Sequence, residues 1–258
     1  MVHVEMIDTH AHLYDEAFHA DRDAVIARAL EQGVSRMLLP NIDADTVAPM
    51  LELCSRYPNI CFPMAGLHPT SVTPDFEQQL KAIAPLLNNK NIVAIGEIGI
   101  DLYWDKQYRQ QQTEAFRIQL GWAKKLRLPV VIHCRKSYNE IMAELKREQD
   151  GTLRGVFHCF PGNEHQADEV TALGFELGIG GVVTYKNAEM ARVVQHTDIR
   201  HILTETDAPY LPPVPYRGKR NESAYIYNIV KMIAELKSMS EEEVATQTAN
   251  NAKKLFSV

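Results

Sequence analysis

Residues 6–15 read MIDTHAHLYD, a short apolar run that leads into two histidines, His10 and His12. On a β-strand, residues i and i+2 point to the same face, so this spacing predicts that both imidazoles project together. Two imidazoles on one face suit a single metal ion, although an isolated His-x-His pair is more often structural. The other ligands of such an ion must therefore come from distant parts of the chain.

Seven further apolar runs follow the first, and helical patterns separate most of them. The eight runs are EMIDTHA (5–11), SRMLLPNI (35–42), ICFPMAGLHP (60–69), NIVAIGEIGI (91–100), LPVVIHCR (128–135), RGVFHCF (154–160), FELGIGGVV (175–183) and RHILTETDAPY (200–210). Strands that alternate with helices indicate a parallel sheet, and 258 residues is close to the usual length of a closed barrel. We therefore predict an α/β fold, a single (β/α)8 TIM barrel over residues 1–258, with a doubly wound open sheet as the alternative.

The composition is that of an ordinary globular protein. A net charge of −6, with 23% charged residues, argues against a protein that coats nucleic acid through a basic surface. No run reaches the length of a membrane span, and the N-terminus lacks a signal-peptide pattern. The four cysteines form no Cys-x-x-Cys pair, which is typical of reduced thiols. We expect a cytoplasmic monomer with no membrane partner.

Metal-ligand residues follow several of the apolar runs at the point where each run stops. In a barrel, the C-terminal ends of all strands meet on one face, so residues far apart in sequence converge there. The residues with this placement are His10, His12, Glu97, His133, His158, Glu205 and Asp207. Singly, each has a structural alternative: a histidine satisfied in the core, a Glu97–Arg135 ion pair, or a turn set by Asp207 before Ala-Pro. Their joint placement predicts a metal site at the barrel mouth.

Imidazoles and carboxylates together suit divalent ions such as Zn²⁺, Mn²⁺ and, for the carboxylates, Mg²⁺. One catalytic ion usually takes about three protein ligands, so this set exceeds the need of a single ion. Two ions about 3.5–4 Å apart would use the set well. Glu97, which comes from the middle of the barrel, is the predicted bridge between them.

Six motifs, taken in order, resemble those of the TatD family of metal-dependent deoxyribonucleases, which belongs to the amidohydrolase-like superfamily. The motifs are IDTHAHL (7–13), AGLHP (65–69), IGEIGID (95–101), VIHCR (131–135), HCF (158–160) and ETDAPYL (205–211). The continuation of the last motif, PPVPYRGKRNE, is especially typical of the family. Departures from the usual pattern, such as Leu102, Pro161 and Ser223, remove no proposed ligand but leave the substrate preference open.

The resemblance implies roles for individual residues. His10, His12, Glu97 and Asp207 would hold one ion, and Glu97, His133 and His158 the second. Glu205 would not bind an ion itself but would orient one of the ligands, and His68 would face the substrate phosphate. The family hydrolyses phosphodiester bonds of DNA, often from the 3′ end of single strands, so the expected reaction is 3′-5′ exonuclease cleavage by a metal-activated water. The expected cofactors are two divalent ions, Mg²⁺, Mn²⁺ or Zn²⁺.

The residues add a mechanism to this implied activity. Asp207 is a candidate general base. Arg135, together with Arg217 and Arg220 in the loop after the eighth run, is a candidate contact for the phosphates of DNA, although a basic loop is often simply solvated. Exposed aromatic residues near the mouth can stack on bases or serve packing alone.

Two other functions remain open at this point. The first is an amidohydrolase or esterase that acts on a small C–N or C–O substrate with the same dinuclear site, because a fold does not determine a substrate. The second is a non-enzymatic metal-binding protein, which a complete ligand set at a barrel mouth makes the weakest of the three hypotheses.

Overall fold

The computed structural model describes residues 4–104, 106–186 and 189–258, and this part of the chain forms a barrel of eight parallel strands. The strands are β1 (Met6–Asp8), β2 (Val34–Pro40), β3 (Cys61–Ala65), β4 (Ala94–Asp101), β5 (Val130–Arg135), β6 (Gly155–Phe157), β7 (Phe175–Ile179) and β8 (Ile202–Thr204). Each strand pairs in parallel with the next one along the chain. Every predicted apolar run therefore overlaps one strand.

A helix follows each of the first seven strands, and two helices follow the eighth. They are α1 (Arg22–Glu31), α2 (Val47–Arg56), α3 (Phe76–Ile83), α4 (Arg109–Leu126), α5 (Tyr138–Glu148), α6 (Glu164–Ala172), α7 (Met190–His196), α8 (Ile226–Lys237) and α9 (Glu241–Phe256). The last helix begins with a capping box, in which Ser240 and Glu243 each bond the other's backbone N–H. The part of the chain that the structure describes has no helix long and apolar enough to cross a membrane.

Backbone hydrogen bonds between the last and first strands close the barrel. The N–H of Thr9 donates to the carbonyl of Thr204 at 3.1 Å, and the N–H of Asp207 donates to the carbonyl of His10 at 2.9 Å. An isolated parallel bridge joins Ala11 and Ala208 just beyond these strands. The predicted closed (β/α)8 barrel is confirmed, and the open-sheet alternative is wrong.

Apolar side chains fill the lower interior of the barrel. Inward residues from seven strands pack together with one face of α9, which covers the N-terminal end; they include Ile7, Leu38, Met64, Ala94, Val131, Val156 and Leu203. A second, larger core lies between the strands and the surrounding helices. The lower interior is apolar, and α9 covers it. The polar residues at the C-terminal strand ends therefore lie on the side of the open mouth.

Candidate metal centre

The barrel mouth contains a cavity of about 620 Å³ lined by most of the predicted ligands. Its wall includes His12, Glu97, His133, His158 and Asp207. These side chains come from the ends of β1, β4, β5, β6 and β8, so the barrel gathers residues that are up to 195 positions apart. The strand ends converge at the mouth, as a barrel requires.

His10 and His12 lie past the end of β1 rather than on it. Strand β1 stops at Asp8, so the two histidines do not share a strand face as the alternation predicted. The bridge from Ala11 to Ala208 instead holds the extended segment between them against the loop after β8. Both imidazoles still point to the same place, with their Nε2 atoms 3.3 Å apart.

One oxygen of Glu97 faces these two histidines. Its Oε2 lies 3.1 Å from Nε2 of His10 and 3.8 Å from Nε2 of His12. Asp207 approaches the same group, with Oδ1 3.9 Å from Nε2 of His10 and 3.6 Å from Nε2 of His12. Two imidazole nitrogens thus lie within 4 Å of two carboxylates, and these four residues are the ones predicted to hold the first ion.

The other oxygen of Glu97 faces a second group of imidazoles. Its Oε1 lies 2.9 Å from Nδ1 of His133, 3.4 Å from Nε2 of His68 and 3.9 Å from Nε2 of His158. His68, predicted as a contact to substrate phosphate, is thus near enough to join His133 and Glu97 as a ligand. A carboxylate that turns its two oxygens toward two separate sets of ligands has the geometry of a bridge.

His158 stands between the two groups. Its ring stacks on that of His10 with centroids 3.5 Å apart, and its Nε2 lies 3.7 Å from Oδ1 of Asp207. It could therefore contribute to either side of Glu97. The sequence resemblance assigned it to the second side together with His133.

Neighbouring acceptors keep a proton on the outer ring nitrogen, the one turned away from Glu97, of His12 and His133. The hydroxyl of Tyr14 donates its one proton to the carbonyl of Pro40 at 2.5 Å, so it can only accept from Nδ1 of His12, 3.1 Å away. Nε2 of His133 lies 2.9 Å from the carboxylate of Asp101, which likewise accepts a proton. With the outer proton held in this way, the inner nitrogen of each ring can offer its lone pair to a metal ion.

The carboxylate of Glu205 lies beside the outer nitrogen of His158. Its Oε1 lies 2.9 Å from Nδ1 of His158, a close electrostatic contact that falls short of hydrogen-bond geometry, and it accepts the N–H of Cys159 at 2.5 Å. A Cβ on Gly178 would lie 2.4 Å from Oε2 of Glu205, so only glycine leaves room for this carboxylate. Glu205 thus lies next to His158, and its role in orienting this ligand, which the family resemblance implies, stays a prediction.

Asp101 and Tyr14 are site residues that the sequence analysis missed. Both are buried, and both act by orienting a histidine. Asp101 is the last residue of the IGEIGID motif, and the register of β4 with β5 places Gly99 beside His133. A Cβ on Gly99 would lie 2.0 Å from the carbonyl oxygen of His133, so the glycine allows this close strand approach. An acidic residue two positions after Gly99 was the available signal.

The charges in the site favour a bound cation. Burial would raise the pKa of Glu97, but the imidazoles of His68, His10 and His158 hold it well below its usual value. Burial opposes a charge on His158, yet the carboxylates of Glu205, Glu97 and Asp207 outweigh it and raise the pKa of His158 to about 10. The pKa of Asp207 is also lowered, so Glu97 and Asp207 stay ionised and would stabilise a cation beside them. The donor atoms and the negative charge of these carboxylates fit a divalent ion.

Metal binding is expected to strengthen as the pH rises. Since His158 has a pKa of about 10 without metal, it carries a proton near neutral pH, and an ion that uses its Nε2 must displace that proton. The affinity should increase by about tenfold per pH unit for each proton displaced. Competition with a chromophoric chelator over roughly pH 6 to 8 measures the slope, and calorimetry in two buffers counts the protons. An affinity independent of pH would remove His158 from the ligand set.

The predicted substrate contacts are divided between the cavity and the surface. His68 and Arg135 belong to the cavity wall. The guanidinium of Arg217 lies over the ring of Tyr185, 4.2 Å from its centroid. Arg220 forms a two-pronged ion pair with Asp21 at 2.7 Å and also donates to a backbone carbonyl. Arg220 therefore has a structural partner, and a phosphate contact stays a prediction for all four residues.

Residues 7–257 match the family model described as TatD related DNase. A Bacillus subtilis (strain 168) protein named uncharacterized metal-dependent hydrolase YabD is 39% identical over 254 residues, which cover 98% of this chain and 99% of that protein. An Erwinia amylovora protein named 3'-5' ssDNA/RNA exonuclease TatD is 33% identical over 257 residues, covering 97% and 99% of the two chains. Among solved structures, YjjV, a TatD homologue from Escherichia coli K12, has a TM-score of 0.93 at 30% identity, with full coverage of both chains.

Proposed function

The chain belongs to the TatD family of metal-dependent hydrolases, and we propose that it cleaves phosphodiester bonds of DNA, removing nucleotides from the 3′ end of single strands. The observation that carries this proposal is the placement of Glu97, whose two oxygens face two separate sets of ligand atoms. Two-metal sites bridged in this way are common in enzymes that transfer phosphoryl groups.

The two sides of Glu97 would each hold one divalent ion. His10, His12 and Asp207 complete the first side, and His133, with His158 or His68, completes the second. Divalent ions bound there would neutralise phosphate oxygens and lower the pKa of water, which is the chemistry that phosphodiester hydrolysis needs. Mixed imidazole and carboxylate ligands are compatible with Zn²⁺, Mn²⁺ or Mg²⁺.

Asp207 is the residue placed to move a proton. Among the acidic side chains of the centre it is the more open to the cavity, with 14% of its side chain exposed against 3% for Glu97. Burial would raise its pKa, but His158, His12 and His10 hold that pKa below the usual value, so Asp207 is ionised at neutral pH. Its carboxylate would accept the proton of the attacking water.

Arg135 supplies positive charge at the rim of the cavity. It is the last residue of β5, two positions after His133, and its side chain belongs to the cavity wall. A planar guanidinium matches phosphate oxygens well, so Arg135 would position the phosphate beside the centre. The relative named as a 3'-5' ssDNA/RNA exonuclease supports the proposed polarity and the preference for single strands.

An activity assay on metal-depleted and reloaded protein tests the proposal. Single-stranded oligonucleotides labelled at either end, a blunt duplex, and a panel of amides, esters and lactones are incubated with Mg²⁺, Mn²⁺ or Zn²⁺. We expect mononucleotides to be released from the 3′ end of single strands, only when metal is present, and more slowly from the duplex. Hydrolysis of amides or lactones without cleavage of any oligonucleotide would instead support the small-substrate alternative.

A further inference from the structure

We infer that Tyr103, Trp104 and Arg135 form a stacking platform at the cavity mouth that holds a nucleobase of the substrate strand. This inference rests on the proposed nuclease function and adds a base-binding subsite to it. The platform adjoins the metal centre but takes no part in holding the ions. It would recognise the flat aromatic face of a base, independently of base identity.

Large exposed apolar side chains concentrate around the mouth. Of the eight such residues in the described part of the chain, Trp104, Tyr210 and Leu211 line the cavity. The ring of Tyr103 packs edge-on against that of Trp104, with centroids 5.0 Å apart. Trp104 is 68% exposed and Tyr103 is 52% exposed. Single exposed aromatic residues need no explanation, but a group of them beside a charged cavity marks a ligand site.

The platform is tied directly to the metal centre. Oδ1 of Asp101 accepts the backbone N–H groups of Tyr103 and Trp104, at 2.8 and 3.1 Å. The other oxygen of the same carboxylate contacts Nε2 of His133 at 2.9 Å. One buried side chain therefore orients a metal-ligand histidine and fixes the turn that presents both rings. A base stacked on the ring of Trp104, which the edge of Tyr103 supports, would be held at a set distance from the reacting phosphate.

Arg135 gives the platform a positive charge. Its guanidinium lies 4.1 Å from the ring centroid of Tyr103 and 5.1 Å from that of Trp104. These distances are typical of cation–π contacts, which keep the side chain extended along the aromatic surface. Aromatic faces combined with a guanidinium form the usual surface for single-stranded nucleic acid, where each base stacks and each phosphate finds a cation.

Charge and chemistry favour a nucleotide over other occupants. A neutral aromatic ligand would need the rings but not the arginine, and a simple anion would need the arginine but not the rings. A nucleotide uses both, and its phosphate would lie toward the divalent centre. On a chain with a net charge of −6, a positive group beside the cavity would confine the contact with an anionic strand to this face.

Tryptophan fluorescence can report on this platform directly. The chain has two tryptophans, Trp104 and Trp122, so Trp122→Phe leaves Trp104 as the only tryptophan, whose emission is isolated by excitation at wavelengths that tyrosine does not absorb. The metal-loaded variant is titrated with single-stranded oligonucleotides whose 3′-terminal linkages are phosphorothioates, which slow hydrolysis. A matched oligonucleotide lacks the bases of its last nucleotides. We expect quenching by the first oligonucleotide and much weaker quenching by the abasic one.

Steady-state kinetics complete the test, with oligonucleotides whose 3′ ends are base-bearing or abasic and whose linkages are ordinary phosphodiesters. Trp104→Ala is expected to raise KM for base-bearing ends by about 5- to 100-fold, the usual effect of losing one base stack, with little change in kcat. KM for abasic ends should hardly change, Trp104→Phe should restore most of the loss, and Tyr227→Ala, an exposed aromatic residue on α8, should have no effect.

Two outcomes would overturn the inference. Equal losses on base-bearing and abasic ends would assign Trp104 to the structure of the mouth, and unchanged KM without quenching would leave it as an ordinary surface residue. In both cases the wild-type protein would still cleave oligonucleotides. Failure of the proposed function looks different, because the wild-type protein would then cleave no oligonucleotide with any of the three metals.

Discussion

Glu97→Gln is expected to lower the rate of oligonucleotide hydrolysis on the order of 10³-fold or more, because the substitution disrupts both sides of the metal centre at once. Glutamine offers one ligand oxygen instead of two, and its amide N–H₂ would face the imidazoles on the other side. The change also removes the negative charge that His68, His10 and His158 stabilise. Mass spectrometry of the purified variant should find fewer than two ions per chain.

A control variant separates this effect from the loss of any buried acid. Glu144 is nearly buried and forms a two-pronged ion pair with Arg117, at 2.6 and 2.7 Å, on the outside of the barrel. Glu144→Gln should leave metal content and turnover unchanged. If Glu97→Gln folds poorly, Glu97→Asp keeps the charge with a shorter reach. Two ions per chain together with normal turnover in Glu97→Gln would refute the bridging role.

The fold could be predicted from the sequence because parallel strands covered on both faces appear as continuous apolar runs. All eight runs overlap a strand, but each run is longer than its strand. Strands β1, β6 and β8 have three residues each, whereas the runs that contain them have seven or more. Buried residues, such as Ala11, Phe160 and Ala208, continue past these strands into the loops at the mouth. Composition alone cannot separate a strand from a buried loop.

The ligand residues were predictable for the same reason, whereas the residues that orient them were not. Histidine and carboxylate side chains directly after an apolar run stand out in the sequence. The contact of Asp101 with His133 depends on the register of β4 with β5, and that of Tyr14 with His12 on the course of the chain after β1. Side-chain geometry of this kind is set by packing, and no local pattern encodes it.

The direction of long basic side chains could not be predicted from the sequence either. The loop after β8 carries Arg217 and Arg220 close to the mouth in sequence, but the partner of each guanidinium comes from elsewhere in the chain. Asp21, which lies 199 positions before Arg220, forms an ion pair with its guanidinium. Charge in a loop indicates where a phosphate contact is plausible, and only the fold shows which charges remain available for one.

Asp207→Asn is expected to reduce kcat by about 10²- to 10⁴-fold, the usual contribution of a general base. Asparagine has nearly the same shape and keeps one ligand oxygen, but it cannot accept a proton at neutral pH. The backbone of Asp207 has a φ of 57°, a left-handed conformation that asparagine also tolerates, so the fold should be retained. Steady-state hydrolysis and metal content are measured on the same preparation.

The two measurements distinguish a base from a ligand. If Asp207 mainly accepts the proton, the rate falls while metal content stays close to that of the wild type; if it mainly holds the first ion, both fall together and excess metal restores part of the rate. Asp198→Asn, which removes an exposed acid paired with Arg200, is the matched control and should change neither quantity. A variant that retains more than about a tenth of the wild-type rate would exclude Asp207 as the base, since that loss is smaller than general-base catalysis usually contributes. Its position between the imidazoles of His10, His12 and His158 would then be that of a ligand alone.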